Sequence, residues 1–177
     1  MPSSSGRGRI NSRAKGVAFE EKIARELRMV YDSLALTARL AELPLGKERS
    51  TLIKTSRVRR SDQGKGAMEP DLVVRGCPFW FELQHSTAAD PIAKLEQAER
   101  DCEQADSGLW PGSITHLTGR RKRAVVVAMR GCTYRKIVEQ LSGEALDGTL
   151  DDIVIEMDWE DMKRSILPAL EAVNGAK

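Results

Sequence analysis

The chain reads as an α/β protein, a mixed central β-sheet flanked by helices. Three features of its 177 residues carry this reading. Apolar residues recur at helical spacing near the start, short β-prone runs follow one another between turn residues, and a continuous apolar run, AVVVAM, lies past the middle. Hydrophobic content of 41% with 31% charged residues is ordinary for a globular chain, and the length suits one domain.

The elements follow in chain order. Residues 1–14 hold Arg7, Arg9 and Arg13 among serines and glycines, and Lys15 follows with no acid yet in the chain. Such a segment cannot bury apolar surface, and is expected to be a flexible basic arm lying along phosphates or a solubilising tail. The single domain is expected over 15–177. Phe19, Ile23, Leu27, Val30 and Leu34 then trace one apolar stripe at steps of three and four. The pattern runs on through Leu36, Leu40 and Leu43 to Pro44, as one long helix or two. Residues 51–58 (TLIKTSRV) predict a strand, SDQGKGAMEP supplies turn residues, 71–75 (DLVVR) predict a second strand and 79–85 (FWFELQH) a third, together an antiparallel meander. Asp90 can cap a helix with Pro91 at its first position, running to about Ala105 with Leu95, Ala98, Cys102 and Ala105 inward. Residues 106–123 look like loop, with Gly108, Pro111, Gly112 and Gly119. Residues 124–129 predict a strand buried on both faces. A short helix over 134–141, a strand over 153–157 and a closing helix over 159–173 complete the order.

Charge and cysteines narrow the function classes. The net charge of +2 does not by itself announce a nucleic-acid partner, although Arg120, Arg121, Lys122 and Arg123 form a second basic block. Cys77, Cys102 and Cys132 are widely spaced, without a CxxC pair, and His85 and His116 are the only histidines, which argues against a structural zinc site. The thiols are expected to be reduced, in a cytoplasmic protein. No apolar run approaches the roughly 20 residues of a membrane span, and no secretory h-region opens the chain.

The chemistry concentrates around residues 69–84. In the third strand side chains alternate, so Glu82 and Gln84 share one face while Phe81 and Leu83 point to the other. Asp71 on the neighbouring strand brings a second carboxylate to the same spot. Two carboxylates with amide or backbone oxygens suit a hard cation such as Mg²⁺ or Mn²⁺, which can polarise a phosphodiester and lower the pKa of an attacking water. A third acid comes from the first helix. At about 100° per residue, Glu20 lies about 50° from the centre of the apolar stripe and Glu21 about 150° away, so Glu20 is the one that reaches inward.

At these residues the chain resembles a known family. Lys15-Gly16-Val17-Ala18-Phe19-Glu20, with Ile23, Ala24 and Leu27, is similar to the opening helix of archaeal and phage-type Holliday junction resolvases of the PD-(D/E)xK nuclease superfamily. Arg59-Arg60-Ser61, then Asp71, then Glu82-x-Gln84 resembles that family's Arg-Ser turn, aspartate and ExK motif. The stretch Lys94–Ala98 and the strand AVVVAMR fit the layout that follows. The resemblance covers about Lys15 to Arg130, and 153–159 fits a final strand. It implies a restriction-endonuclease-like core in αβββαβ order, with Glu20, Asp71 and Glu82 as metal ligands and, with Gln84, as catalytic residues. It further implies a Mg²⁺-dependent homodimer that nicks branched DNA at four-way junctions. Arg60 and Ser61 would meet phosphate there, together with Arg7, Arg9, Arg13 and Lys15.

One position departs from the family pattern, which has lysine where this chain has Gln84. Gln84 can position water through its amide, a cation can arrive from Lys65 or Lys94, or the site binds DNA without cutting it. Plainer readings stand beside the sharp ones: Asp71 as a turn residue, Glu82 in a buried ion pair, Glu20 as a surface acid, and the basic block as a solvated loop. His85 faces away from Glu82 and reads as structural. Gln97 is placed to lean over the site. Residues 32–50 look like an addition to the minimal resolvase pattern that could build a dimer interface. Cleavage of another DNA substrate, and DNA binding without catalysis, are the competing functions.

Overall fold

The structure is a computed structural model and describes residues 12–61, 69–86, 88–118 and 125–175. Arg7, Arg9, Lys65 and the block 120–123 lie outside these residues. Six strands form one mixed sheet in sequence order: β1 (Val58–Arg60), β2 (Leu72–Val74), β3 (Phe79–Ser86), β4 (Trp110–Leu117), β5 (Val125–Arg130) and β6 (Val154–Asp158). All neighbours are antiparallel except β3 and β4. A parallel pair needs a crossover, and α4 (Pro91–Gln104) supplies it. The sheet is thus α/β and mixed, with helices on both faces.

The first helix, α1 (Ser12–Tyr31), starts earlier than the apolar pattern suggests, so Arg13 lies in its first turn. Phe19, Ile23, Ala24, Leu27 and Tyr31 are its buried apolar side chains, in one core cluster with Phe79, Phe81 and Leu83 of β3 and Val127 and Met129 of β5. Each fully buried side chain of this size contributes about 1.5–3 kcal/mol. Leu34, assigned to the same stripe, is instead 85% exposed. The helix ends at Tyr31, and Ser33 caps a second one, α2 (Leu34–Glu42), by accepting from Leu36 N at 3.2 Å. A cap side chain there resets the helical phase, which decides between one long helix and two.

Two predicted elements are overturned. The strand predicted over 51–58 does not form: its first three residues end α3 (Lys47–Ile53), 54–57 are turn and bend, and pairing begins only at Val58. The β-branched and hydroxyl residues that suggested a strand bond backward instead. Thr51 and Thr55 donate to the carbonyls of Lys47 and Leu52, while Ser50 and Arg49 of the same helix donate to those of Gly46, Leu40 and Leu43. The loop predicted over 106–123 contains β4, an eight-residue central strand. Its turn-like residues have tertiary uses. Gly112 packs against the Phe81 ring, which would lie 3.4 Å from a Cβ at that position. Ser113 is fully buried and donates to Pro91 O at 2.9 Å.

The remaining elements match the sequence reading. Asp90 caps α4 by accepting from Ile92 N and Ala93 N, and Leu95, Ala98 and Cys102 are buried. A smaller core joins Trp80 of β3 to Ala98 and Cys102 of α4. Every residue of β5 except Arg130 is buried. Helix α5 (Gly131–Ser142) begins directly after it. The closing helix has three pieces: α6 (Trp159–Asp161), a π-turn (Met162–Ile166) and α7 (Leu167–Gly175). Leu167 N bonds Met162 O across the wider turn, just before Pro168, whose ring cannot accept the tighter α ladder. Cys77, Cys102 and Cys132 are free thiols. Among the described residues no helix is long and apolar enough to cross a membrane.

Gly131 marks the tightest backbone approach. A Cβ there would fall 1.7 Å from Leu150 O, whereas nothing lies within 4 Å of one at Gly16. Gly131→Ala should therefore lower stability by about 1–3 kcal/mol in urea denaturation. Gly16→Ala, on α1, should be neutral or stabilising by up to about 1 kcal/mol. Equal stability of the Gly131 variant and the wild type would contradict this packing.

Candidate functional site

Strand β3 has two chemical faces. Phe79, Phe81 and Leu83 enter the main core with α1, while Trp80 and Glu82 meet α4 on the other side. His85 belongs to the α1 face, as its parity requires. Its ring lies 5.5 Å from Phe19 and 4.4 Å, edge-on, from His116 of β4.

Glu82 is only 3% exposed, so its carboxylate needs partners. Trp80 Nε1, two residues away on the same face, donates to Oε1 at 3.2 Å. Lys94 Nζ donates to Oε2 at 3.0 Å, and Gln97 Nε2 approaches the same oxygen at 3.3 Å. Lys94 and Gln97 are three residues apart on α4 and also bond each other, Nζ to Oε1, at 3.0 Å. Gln97 Nε2 reaches Asp101 Oδ2 at 3.2 Å, one turn further on.

Asp71 completes the group. Its Oδ2 lies 3.7 Å from Lys94 Nζ and accepts from Leu83 N at 2.7 Å. The β2–β3 ladder is a single bridge, Leu72 opposite Phe81. The Asp71 carboxylate takes the Leu83 N–H just beyond it, which fixes the side chain against β3. One ammonium thus bridges two carboxylates carried by different strands.

Gln84 is on the expected face but its carbonyl is engaged, accepting from Asp90 N at 3.0 Å. It secures the residue that caps α4, the helix that delivers Lys94 and Gln97. Lys94, expected as a possible substitute cation, meets Glu82; Lys65, the other candidate, lies outside the described residues.

Glu20 is 18% exposed and Glu21 40%, in the order that helix angle predicts. Glu20 is paired with Arg60, whose Nε and NH2 lie 2.8 and 2.5 Å from Oε2. Arg60 stands opposite Leu72, the neighbour of Asp71, across the β1–β2 ladder. No contact joins Glu20 to Asp71 or Glu82, and among the described residues no three His, Cys, Asp or Glu side chains gather closely enough to hold a metal. Ser61 Oγ donates to Glu69 Oε2 at 3.2 Å, and Ser61 N bonds Asp71 O at 3.0 Å. Lys15 is exposed on α1. Arg13 lines a groove between α1 and α3 together with Arg49 and Arg60.

Sequence reasoning missed the Trp80 contact, although strand parity places Trp80 beside Glu82. It also undervalued Gln97, whose spacing from Lys94 puts both on one helical face. No protein-family model, curated protein or solved structure matches the chain.

Burial, and secondarily the Asp71 charge, push the Glu82 carboxyl up from 4.5 to about 7, against the opposing effects of Lys94 and Trp80. Because the folded carboxyl holds its proton more tightly than the unfolded one, its contribution to stability is complete below pH 4.5 and is lost as pH rises to about 7. Glu82→Gln lacks that loss. Its stability relative to the wild type should therefore climb across this window, by up to about 3 kcal/mol, in paired urea melts. A difference that stays flat with pH would contradict a buried, proton-retaining Glu82.

Proposed function

We propose that the chain is a metal-dependent, structure-selective endodeoxyribonuclease with a PD-(D/E)xK core, nicking branched DNA such as a Holliday junction. The observation that carries this reading is the convergence of Asp71 and Glu82 on one cation, the Lys94 ammonium, at 3.7 and 3.0 Å. A pair of carboxylates that already accommodates a positive charge fits a hard divalent ion, Mg²⁺ or Mn²⁺. When bound, such an ion would polarise the phosphodiester and acidify the attacking water.

The chain's own residues do the rest. Leu83 N and Trp80 Nε1 orient the two carboxylates through neutral donors. Lys94 brings the positive charge that the resolvase pattern carries at the position of Gln84, and Gln84 instead holds the start of α4. Arg60, beside the Asp71 strand, is placed to meet phosphate, with Glu20 fixing its guanidinium. In this reading Glu20 acts through Arg60 or turns to the metal as a third acid. A two-fold homodimer would present two such sites to the two strands that must be cut.

DNA binding without cleavage is the second reading. It is favoured by the Gln84 carbonyl being committed to Asp90 and by the ion pair that Lys94 makes with Glu82.

The test is incubation of the protein with a labelled four-way junction and a matched duplex, in Mg²⁺, Mn²⁺ or EDTA. Paired nicks near the crossover, absent in EDTA, are expected. Asp71→Asn, Glu82→Gln and Lys94→Met should each slow cutting by about 10²-fold or more while junction binding persists. Gln84→Ala should cost far less. Tight junction binding with no cutting in either metal selects the second reading, and neither binding nor cutting overturns both.

A further inference from the structure

We propose that Lys94 is an internal occupant of the cation site, holding Asp71 and Glu82 together until a divalent ion displaces it. This inference rests on the metal-site reading above.

The partners of the two carboxylates fall into two kinds. Trp80 Nε1 and Gln97 Nε2 on Glu82, and Leu83 N on Asp71, are neutral donors. Among the described residues, Lys94 alone touches both acids and alone carries charge. The neutral donors can stay when a metal arrives, because they shape the carboxylates without opposing a cation. The ammonium cannot, since two positive charges at one carboxylate oxygen repel each other.

Lys94 is also delivered firmly. It is 13% exposed and sits in the first turns of α4, whose start is fixed by Asp90 and Gln84. A flexible surface lysine would give up the site at little cost; this one competes for it. Gln97 Oε1, 3.0 Å from Nζ, is the contact that survives displacement. The ammonium is thereby kept near the site after leaving the carboxylates, where a charge facing the scissile phosphate is wanted. The ammonium offsets one of the two carboxylate charges.

Linkage makes the effect reciprocal. Lys94 lowers metal affinity, and metal frees Lys94. Mn²⁺ binding is measured by electron paramagnetic resonance on full-length wild type and Lys94→Met, in slightly alkaline buffer so that protons do not compete. The variant should bind Mn²⁺ about tenfold more tightly or better, although it cuts poorly. Wild-type binding with no tighter binding by the variant overturns the inference and leaves the metal site standing. Failure of both proteins to bind Mn²⁺ overturns the metal site as well. Should the variant not fold, the wild type decides alone: acetylation of Lys94, read by mass spectrometry, should rise severalfold with saturating Mg²⁺. Unchanged acetylation in metal-saturated protein overturns the proposal.

Discussion

The buried carboxylate of Glu82 is the constraint on which the rest depends. An ionised acid withdrawn from water costs several kcal/mol unless its oxygens are met by donors and an opposing charge. Here Oε1 meets Trp80, and Oε2 meets Lys94 and Gln97. Two of these donors come from α4, so the helix has little freedom in how it crosses β3. Its start is fixed in turn by Asp90, whose backbone N–H is held by Gln84 of the same strand. The site and the βαβ crossover share Glu82, Gln84, Lys94 and Gln97, which hold α4 on β3 as they build the site.

The opposite face of the sheet supplies the stability that lets this face be polar. Phe79, Phe81 and Leu83 alternate with Trp80, Glu82 and Gln84, and pack with α1, β5 and the closing helix in the main core. On the α4 side the apolar cluster is small, Trp80 with Ala98 and Cys102. A strand two residues in period thus carries packing on one face and charge on the other. Substitutions at the odd-numbered positions of β3 should act on folding, whereas those at Glu82 act on the balance of charge.

Much of this was legible in the sequence because it depends on local rules. Strand parity put Glu82 and Gln84 together and His85 away. Asp90 and Pro91 announced the start of α4, and the apolar run announced β5. The choice of Glu20 over Glu21 followed from helix angle alone. What failed depended on partners distant in the chain. Residues 106–123 carry loop-like Gly and Pro, yet Gly112 is where the Phe81 ring packs and Ser113 is satisfied by Pro91 of α4. Thr51 and Thr55 carry strand-like composition but return their hydroxyls to helical carbonyls. Leu34 continued the apolar stripe by count, and the Ser33 cap broke the phase. Lys94 is one of two candidate cations in the sequence, and its contact with Glu82 depends on a helix start fixed by Asp90 and Gln84, which the sequence shows only in part.

The central claim is that Asp71 and Glu82 hold a divalent cation in exchange for the Lys94 ammonium. The most direct measurement is a crystal structure of the protein grown with Mn²⁺, with anomalous data collected at the manganese edge. The account predicts an anomalous peak about 2.1–2.3 Å from oxygens of both carboxylates, with Lys94 turned away from Glu82. An intact Lys94–Glu82 pair, with no peak between the acids at saturating Mn²⁺, would contradict it.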